Sequence, residues 1–190
     1  MKHNIVSLAV MACFCIAGSA GAAVSKDEYK AQKDKIESAY KADKKQCDGL
    51  KDNAKDICKA DAKGKEKVAK AELEASYKPT PRNDEKVKKA KADADYDVAK
   101  EKCDDQNGNQ KDVCKKDAKA AHTTAMGNAK ADKAAATKGA NSGKATEERK
   151  DAQEDKSDAQ YAAAKERCDT MSGQAKDNCV ASAKKKFGKL

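Results

Sequence analysis

The chain has 190 residues, of which 38% are charged and 4% aromatic, with a net charge of +9 and no tryptophan. So few large side chains cannot bury a sizeable globular core. This composition argues against an enzyme, because catalytic groups need a buried site that shifts their pKa values. Since Ala, Lys, Glu and Gln favour helices, we expect an all-α chain without a large core.

The first 23 residues have the features of a secretory signal peptide. Lys2 supplies the positive charge, an apolar run extends from Ile5 to Ala17, and small residues follow up to residue 23. The run is too short to span a bilayer and no second one follows, so we expect no transmembrane span in the mature chain. An uncleaved anchor and lipoprotein processing at Cys13 are the alternatives. The mature protein is expected in the periplasm or outside the cell.

The mature chain contains three copies of one unit. In each copy a tyrosine lies seven residues before a cysteine, an Asp follows that cysteine, and Lys-Asp-x-Cys ends the unit. The tyrosines are Tyr40, Tyr96 and Tyr161, and the C-x10-C pairs are Cys47 and Cys58, Cys103 and Cys114, and Cys168 and Cys179. This repeat is the most specific pattern in the chain.

The first unit, residues 24–78, has a well-marked helix start. Ser25 is predicted as the N-cap, with Glu28 as its capping-box partner. Two prolines then make residues 79–84 an extended linker, because proline stops a helix and restricts the residue before it. The first unit is therefore separated from the second by a polar, helix-free connection.

The second unit is residues 85–137, and the third is residues 146–190. Between them, residues 138–145 form a Gly/Ser linker of the flexible kind. Thr146, followed by two glutamates, is a plausible N-cap for the next helix, because acidic side chains in a first turn favour the helix dipole. The chain is thus predicted to consist of three helical units and two polar linkers.

Six cysteines remain in the mature chain, and in an exported protein an even number indicates disulfides. On one straight helix, residues 11 apart are about 16 Å from each other, whereas a disulfide needs α-carbons within about 7 Å. A bond within a unit therefore requires the chain to turn back between its two cysteines.

The residues midway between the cysteines favour such a turn. They are Asp52-Asn53, Gly108-Asn109 and Gly173-Gln174. Gly and Asn tolerate a left-handed backbone, and Asn53 and Asn109 can also cap the returning helix, whereas Gln174 is a poor cap. We therefore expect three repeated antiparallel helical hairpins, each with one C-x10-C disulfide.

Two other uses of the cysteines remain open. If the helix runs straight through, the cysteines form a stripe with 11-residue spacing that suits bonds between chains. Metal binding would use the thiolate pairs, but zinc sites usually combine closer pairs with histidines, and the mature chain has only His122. We favour bonds within hairpins and expect no metal and no other cofactor.

The three tyrosines are the candidate binding residues. Each lies two helical turns from a cysteine, among lysines, where an aromatic ring could stack on a sugar or a base. The alternative, which we favour, is that they pack over the hairpin seam. Their packing partners would be Ile36, Leu50, Ile57, Val98, Val113 and Val180.

The positive charge raises the question of an anionic partner. Export argues against nucleic acid, so an anionic polymer of the cell envelope is the ligand that the lysines would meet. Lysines also alternate with Asp and Glu, as they do on a solvated helix with ion pairs between residues four apart. We favour the solvated face over a dedicated polyanion site.

The cysteine units carry a family resemblance. With its signal peptide, the capped start Lys26-Asp-Glu-Tyr-Lys30 and its Cys-Asp-x(8)-Cys units, the chain resembles a group of exported Ala/Lys-rich proteins of Gram-negative bacteria. In runs such as Lys67 to Glu74 it is similar in composition to the helical middle segment of TolA, which spans the periplasm. The resemblance implies an envelope role and assigns no functional residue.

These observations lead to one functional expectation. The protein is expected to be a non-enzymatic structural or interaction module of the cell envelope, in contact with other envelope proteins. The alternatives are a lysine-rich binding protein for an anionic envelope polymer and a hydrophilin-like stress protectant, for which high charge and low hydropathy are typical.

Overall fold

The structure is a computed structural model that describes residues 24–189, and the predicted signal peptide lies outside them. Six α-helices make up most of this part of the chain. They are α1 (Lys26–Cys47), α2 (Asp52–Tyr77), α3 (Pro81–Cys103), α4 (Gly108–Lys138), α5 (Gly143–Cys168) and α6 (Gly173–Lys186). No strand occurs among the described residues, and the all-α prediction is confirmed.

The first helix begins as the sequence predicts. The Ser25 hydroxyl accepts a hydrogen bond from the backbone N–H of Glu28 at 3.2 Å, and the Glu28 carboxylate accepts one from the Ser25 N–H at 3.0 Å. This reciprocal pair satisfies two N–H groups that a helix start leaves unpaired. The pKa of Glu28 is lowered by the hydrogen bond from the Ser25 backbone.

Both linkers are shorter than predicted, because residues assigned to them cap or begin a helix. Pro81 is not a helix stop but the first residue of α3, where a missing N–H costs nothing, and Thr80 is the N-cap. The linker predicted at 79–84 is therefore reduced to three residues before Pro81. Likewise α5 begins at Gly143 with Ser142 as its N-cap, so Thr146 lies inside the helix.

The six helices form a zigzag one helix thick. Within residues 24–189 each helix packs only against its neighbours along the chain, α1 on α2, α2 on α3, and so on to α6. Short connections make consecutive helices antiparallel. The predicted hairpins α1–α2, α3–α4 and α5–α6 are confirmed, and their turns and disulfides all lie at one edge of the layer. We call this the disulfide edge.

The interior of the layer consists mainly of alanines and cysteines. Among the described residues, Leu73 is the only large aliphatic side chain in the buried set, together with nine alanines and three cysteines. The predicted absence of a large core is thereby confirmed. Leu50, expected to pack beneath the tyrosines, is instead 42% exposed in the turn between α1 and α2, because the turn carries it beyond the seam.

The three hairpin turns repeat one backbone geometry. Each is four residues long, and the helix that follows begins with a residue of positive φ. These residues are Asp52 (48°), Gly108 (53°) and Gly173 (54°). The predicted left-handed turn is therefore present, and the first hairpin places an Asp where the other two have glycine.

Asn53 and Asn109 do not cap the returning helices, contrary to the sequence prediction. The N-caps are Lys51 and Asn107, and neither makes a side-chain capping hydrogen bond. Instead the Asn53 amide donates to the Glu101 backbone carbonyl at 2.6 Å, in the next hairpin. Asn109 donates in the same way to the carbonyl of Glu166, at 3.1 Å. Both asparagines therefore join consecutive hairpins.

Candidate functional site

The six cysteines of residues 24–189 pair within their hairpins. The α-carbon distances are 5.5 Å for Cys47–Cys58, 5.6 Å for Cys103–Cys114 and 5.6 Å for Cys168–Cys179, all within the range that a disulfide requires. The first cysteine of each pair is fully buried in the seam. Of the arrangements considered from sequence, the structure contains bonds within units and not bonds between chains.

An ion pair spans each hairpin turn beside the disulfide. The Asp that follows the first cysteine pairs with the Lys three residues before the second one. These pairs are Asp48–Lys55 at 3.4 Å, Asp104–Lys111 at 2.9 Å and Asp169–Lys176 at 2.8 Å. Hydrogen bonds from Lys115 and Lys111 lower the pKa of Asp104 to about 2. The turns are thus fastened by a covalent and an ionic link.

Tyr96 lies at the centre of the most developed side-chain cluster. Its ring packs on the His122 ring of α4, with 4.8 Å between the centroids, and His122 Nε2 is 2.7 Å from Asp93 Oδ1. The ammonium groups of Lys100 and Lys119 lie 5.8 and 5.9 Å from the Tyr96 centroid. We call these five residues the Tyr96 cluster.

Spacing along two antiparallel helices produces the Tyr96 cluster. Asp93 and Lys100 lie three residues before and four residues after Tyr96 on α3, and residues at these intervals share a helix face. Lys119 lies three residues before His122 on α4 for the same reason. Each helix therefore brings a ring and a lysine to one position on the seam.

The other two predicted tyrosines do not join this cluster. Tyr40 and Tyr161 lie half-buried in the first and third hairpins, and within residues 24–189 neither stacks on another ring. In the first hairpin the stacked pair is Tyr29 and Tyr77, 4.8 Å apart. The structure thus separates the three candidate binding residues, one to each hairpin.

Shallow grooves lie on the face of the layer opposite the Tyr96 cluster. One groove, of about 560 Å³, lies between α2 and α3 and is lined by Val68, Val98 and Lys102. Tyr96 and Val98 are two residues apart on α3, as are Lys100 and Lys102, and this spacing directs the two side chains of each pair to nearly opposite sides of the helix. The predicted packing of Val98 beneath Tyr96 is therefore wrong, since Val98 faces the groove.

A buried ion pair network joins α3 to α4. Glu85 is 6% exposed, and its carboxylate lies 2.7 Å from the ammonium groups of both Lys89 and Lys133. Burial raises the pKa of Glu85, but the hydrogen bonds from Lys133 and Lys89 outweigh burial and leave the pKa below its ordinary value. Glu85 is a structural link rather than a site open to ligand.

A metal site needs a group of ligating side chains, and a membrane span needs a long apolar helix. Among residues 24–189, no three His, Cys, Asp or Glu side chains are grouped so that they could hold a metal ion. None of the six helices in that range has the length and hydropathy of a membrane span. The arrangement that stands out is instead two lysines beside an aromatic pair, which can attract an anion.

Sequence reasoning found Tyr96 but missed its partners. The neighbours of His122 in sequence are Ala and Thr, whereas its partners Tyr96 and Asp93 come from the facing helix. Comparison with family models, with curated proteins and with solved structures gave no match. The functional argument therefore depends on the geometry of this chain.

Proposed function

We propose that the chain is a non-enzymatic interaction module of the cell envelope. The observation that supports this proposal is the single-layer packing, in which every described helix contacts only its neighbours along the chain. Such a layer leaves two broad faces open to partners. The disulfides and turn ion pairs give it rigidity that its alanine-rich interior could not supply alone.

A location outside the cytoplasm accords with the three disulfides. Disulfides persist in the periplasm and outside the cell and are rare in the reducing cytoplasm. All six cysteines of residues 24–189 are paired, and the sequence before them has the features of an export signal. The periplasm or the extracellular space is therefore the proposed compartment.

A second function, binding of an anionic envelope polymer, has its own support. Lys100 and Lys119 approach the Tyr96 ring from two helices and make no ion pair with any described residue. Their charge is thus available to a ligand. This function is a special case of the interaction module, with a polymer as the partner.

Co-sedimentation tests the proposed module. Purified, oxidised protein would be mixed with isolated peptidoglycan sacculi and with lipopolysaccharide at low salt, and the bound fraction measured. Binding that survives washing and saturates is the expected result. Failure to bind either material or any purified envelope protein tested in parallel would contradict the proposal.

Circular dichroism separates the module from a stress protectant. A protectant of the hydrophilin type should be largely unfolded alone, whereas stapled hairpins should be helical and lose helix when a reductant is added. The reduction should cost about 3 kcal/mol per staple in the chain-entropy view. A spectrum of an unfolded chain under oxidising conditions would favour the protectant.

A further inference from the structure

A tyrosine and two lysines recur at the same positions in all three hairpins. The tyrosine is seven residues before the first cysteine, one lysine is three residues before it, and the other lysine is five residues after the second cysteine. We call each set a triad. The triads are Tyr40, Lys44 and Lys63; Tyr96, Lys100 and Lys119; and Tyr161, Lys165 and Lys184.

The six triad lysines differ from other repeated lysines in their ion pairs. Within residues 24–189 none of the six forms a salt bridge, and five of them are exposed, with Lys100 partly so. By contrast, the lysines three residues before the second cysteine all pair with an Asp. Those paired lysines are Lys55, Lys111 and Lys176. In each hairpin, therefore, one lysine pairs with an Asp across the turn, and the two triad lysines have no acidic partner within residues 24–189.

Helix geometry places the triads in a row. In each hairpin the tyrosine is two turns from a buried cysteine, and the lysine four residues after the tyrosine lies on the same side. The hairpins are joined in the same way by Asn53 and Asn109, so their equivalent positions follow one another along the disulfide edge. With two helix spacings between them, consecutive triads are about 16–20 Å apart.

The middle triad shows the chemistry of one position. Two ammonium groups lie within 6 Å of the Tyr96 centroid, and the ring itself is held by His122. A tyrosine offers an apolar surface to the flat side of a sugar ring, while ammonium groups bind carboxylate or phosphate. This combination suits a sugar that carries a negative charge.

Acidic side chains limit where such a ligand can lie. Glu148, Asp151, Asp155 and Asp158 line a groove with Lys130 along α5. Asp158 lies three residues before Tyr161, so the groove ends beside the third triad, where Lys189 pairs with Asp158. Like charges there repel a polyanion, whereas the unpaired lysines of the triads attract one. A polyanion is therefore repelled from this groove, and the triad lysines attract it on the side of the disulfide edge.

We infer that the three triads are successive subsites for one linear anionic polysaccharide, held across the hairpins parallel to the disulfide edge. This inference rests on the proposed polymer-binding function and names the residues and the ligand class. Three weak subsites on one rigid layer bind a long chain far more tightly than one subsite binds a short chain, because the later contacts are intramolecular.

Fluorescence anisotropy with labelled polygalacturonate tests the inference on the oxidised mature protein. One lysine from each triad is replaced in the test variant, Lys63→Gln, Lys119→Gln and Lys184→Gln. The matched control removes three lysines that line grooves of the opposite face and make no ion pair in the described residues, Lys102→Gln, Lys156→Gln and Lys186→Gln. Both variants lose three positive charges, and circular dichroism verifies that both remain helical.

The test variant should bind about tenfold or more weakly, and the control should stay near the wild-type affinity. The slope of log K against log salt should fall by about two to three in the test variant, since each neutralised contact contributes roughly 0.7–0.9. Tyr96→Leu keeps an apolar side chain but removes the ring, so it should weaken binding and leave the salt slope unchanged.

Three outcomes would overturn the inference. Equal losses in the test and control variants would mean that net charge alone binds the polymer, which leaves the polymer-binding function intact. Tight binding of single-stranded DNA without binding of polygalacturonate would assign the triads to another class of polymer. If the wild type binds neither polymer at low salt, the polymer-binding function fails together with the subsites.

Discussion

A β-carbon placed on Gly64 of α2 would lie 2.7 Å from the β-carbon of Ala94 on α3. Gly127 of α4 has the same relation to Ala152 of α5, at 2.8 Å. Both contacts are between hairpins rather than within them. Consecutive hairpins therefore approach so closely because a glycine faces an alanine at each crossing.

Gly64→Ala should destabilise the protein by about 1–3 kcal/mol, because the added methyl group forces α2 and α3 apart. Thermal unfolding followed by circular dichroism measures the change. The compensating variant Gly64→Ala with Ala94→Gly restores the space, so it should be more stable than the sum of the two single changes indicates. Strict additivity of the two substitutions would contradict the close contact.

Asn53→Ala should weaken the link between the first two hairpins by about 1 kcal/mol, the usual worth of one hydrogen bond. Asn109→Ala should cost less, because its hydrogen bond is longer. The substitution also removes the buried Asn109 Oδ1, which has no hydrogen-bond partner among the described residues. Gln174→Ala is the control, because among the described residues the Gln174 side chain bonds to Asn178 of its own helix and to no other hairpin. Chemical denaturation gives the three free energies, and a loss for Gln174→Ala equal to that for Asn53→Ala would refute the assigned roles.

Gly108→Ala should destabilise the second hairpin by about 1–2 kcal/mol, the steric cost of a left-handed conformation for a residue with a β-carbon. The space around Gly108 is open, so the cost is conformational and not a clash. Gly108→Asp should cost less, because Asp52 takes the same conformation in the first hairpin. Unfolding midpoints of the two variants test the order, which would be reversed if a clash decided the cost.

The ionised Asp104 side chain should stabilise the folded protein, and this stabilisation should be lost at acid pH. Its pKa is lowered to about 2 in the folded protein by Lys115 and Lys111, from an ordinary value of 3.8. A folded pKa below the unfolded one means that the contribution is complete above about pH 4 and disappears as the pH falls towards 2. The melting temperatures of wild type and Asp104→Asn should therefore differ above pH 4 and converge near pH 2. A constant difference across this range would contradict the pairing.

The architecture could be predicted from the sequence, because the residues that determine each hairpin lie close together along the chain. A cysteine spacing that cannot close on a straight helix predicts a turn, and a glycine at that turn predicts its left-handed backbone. The capping box at Ser25 was equally local and is confirmed. The linker bounds were less accurate, since Pro81 can either precede a helix or begin one.

The contacts between hairpins could not be predicted from single-unit reasoning. Asn53 is a residue type that often caps helices, but the carbonyl to which it donates is that of Glu101, in the neighbouring hairpin. His122 likewise meets Tyr96 only after α3 and α4 pair. The triad lysines were visible in the repeat, but their lack of ion pairs depends on which acidic side chains each helix brings near them.

Because each described helix packs only on its neighbours along the chain, this protein should fold and unfold differently from a globular domain. Because none of the helices in residues 24–189 packs between distant parts of the chain, the free energy of folding is a sum over adjacent pairs, as in repeat arrays. Among the described helices α1 and α6 each have one neighbour, and α6 is the shortest helix and has no asparagine bridge beyond it. Melting should therefore start there and travel inward, while the covalent tether at Cys168 and Cys179 keeps the released segment close enough to re-form.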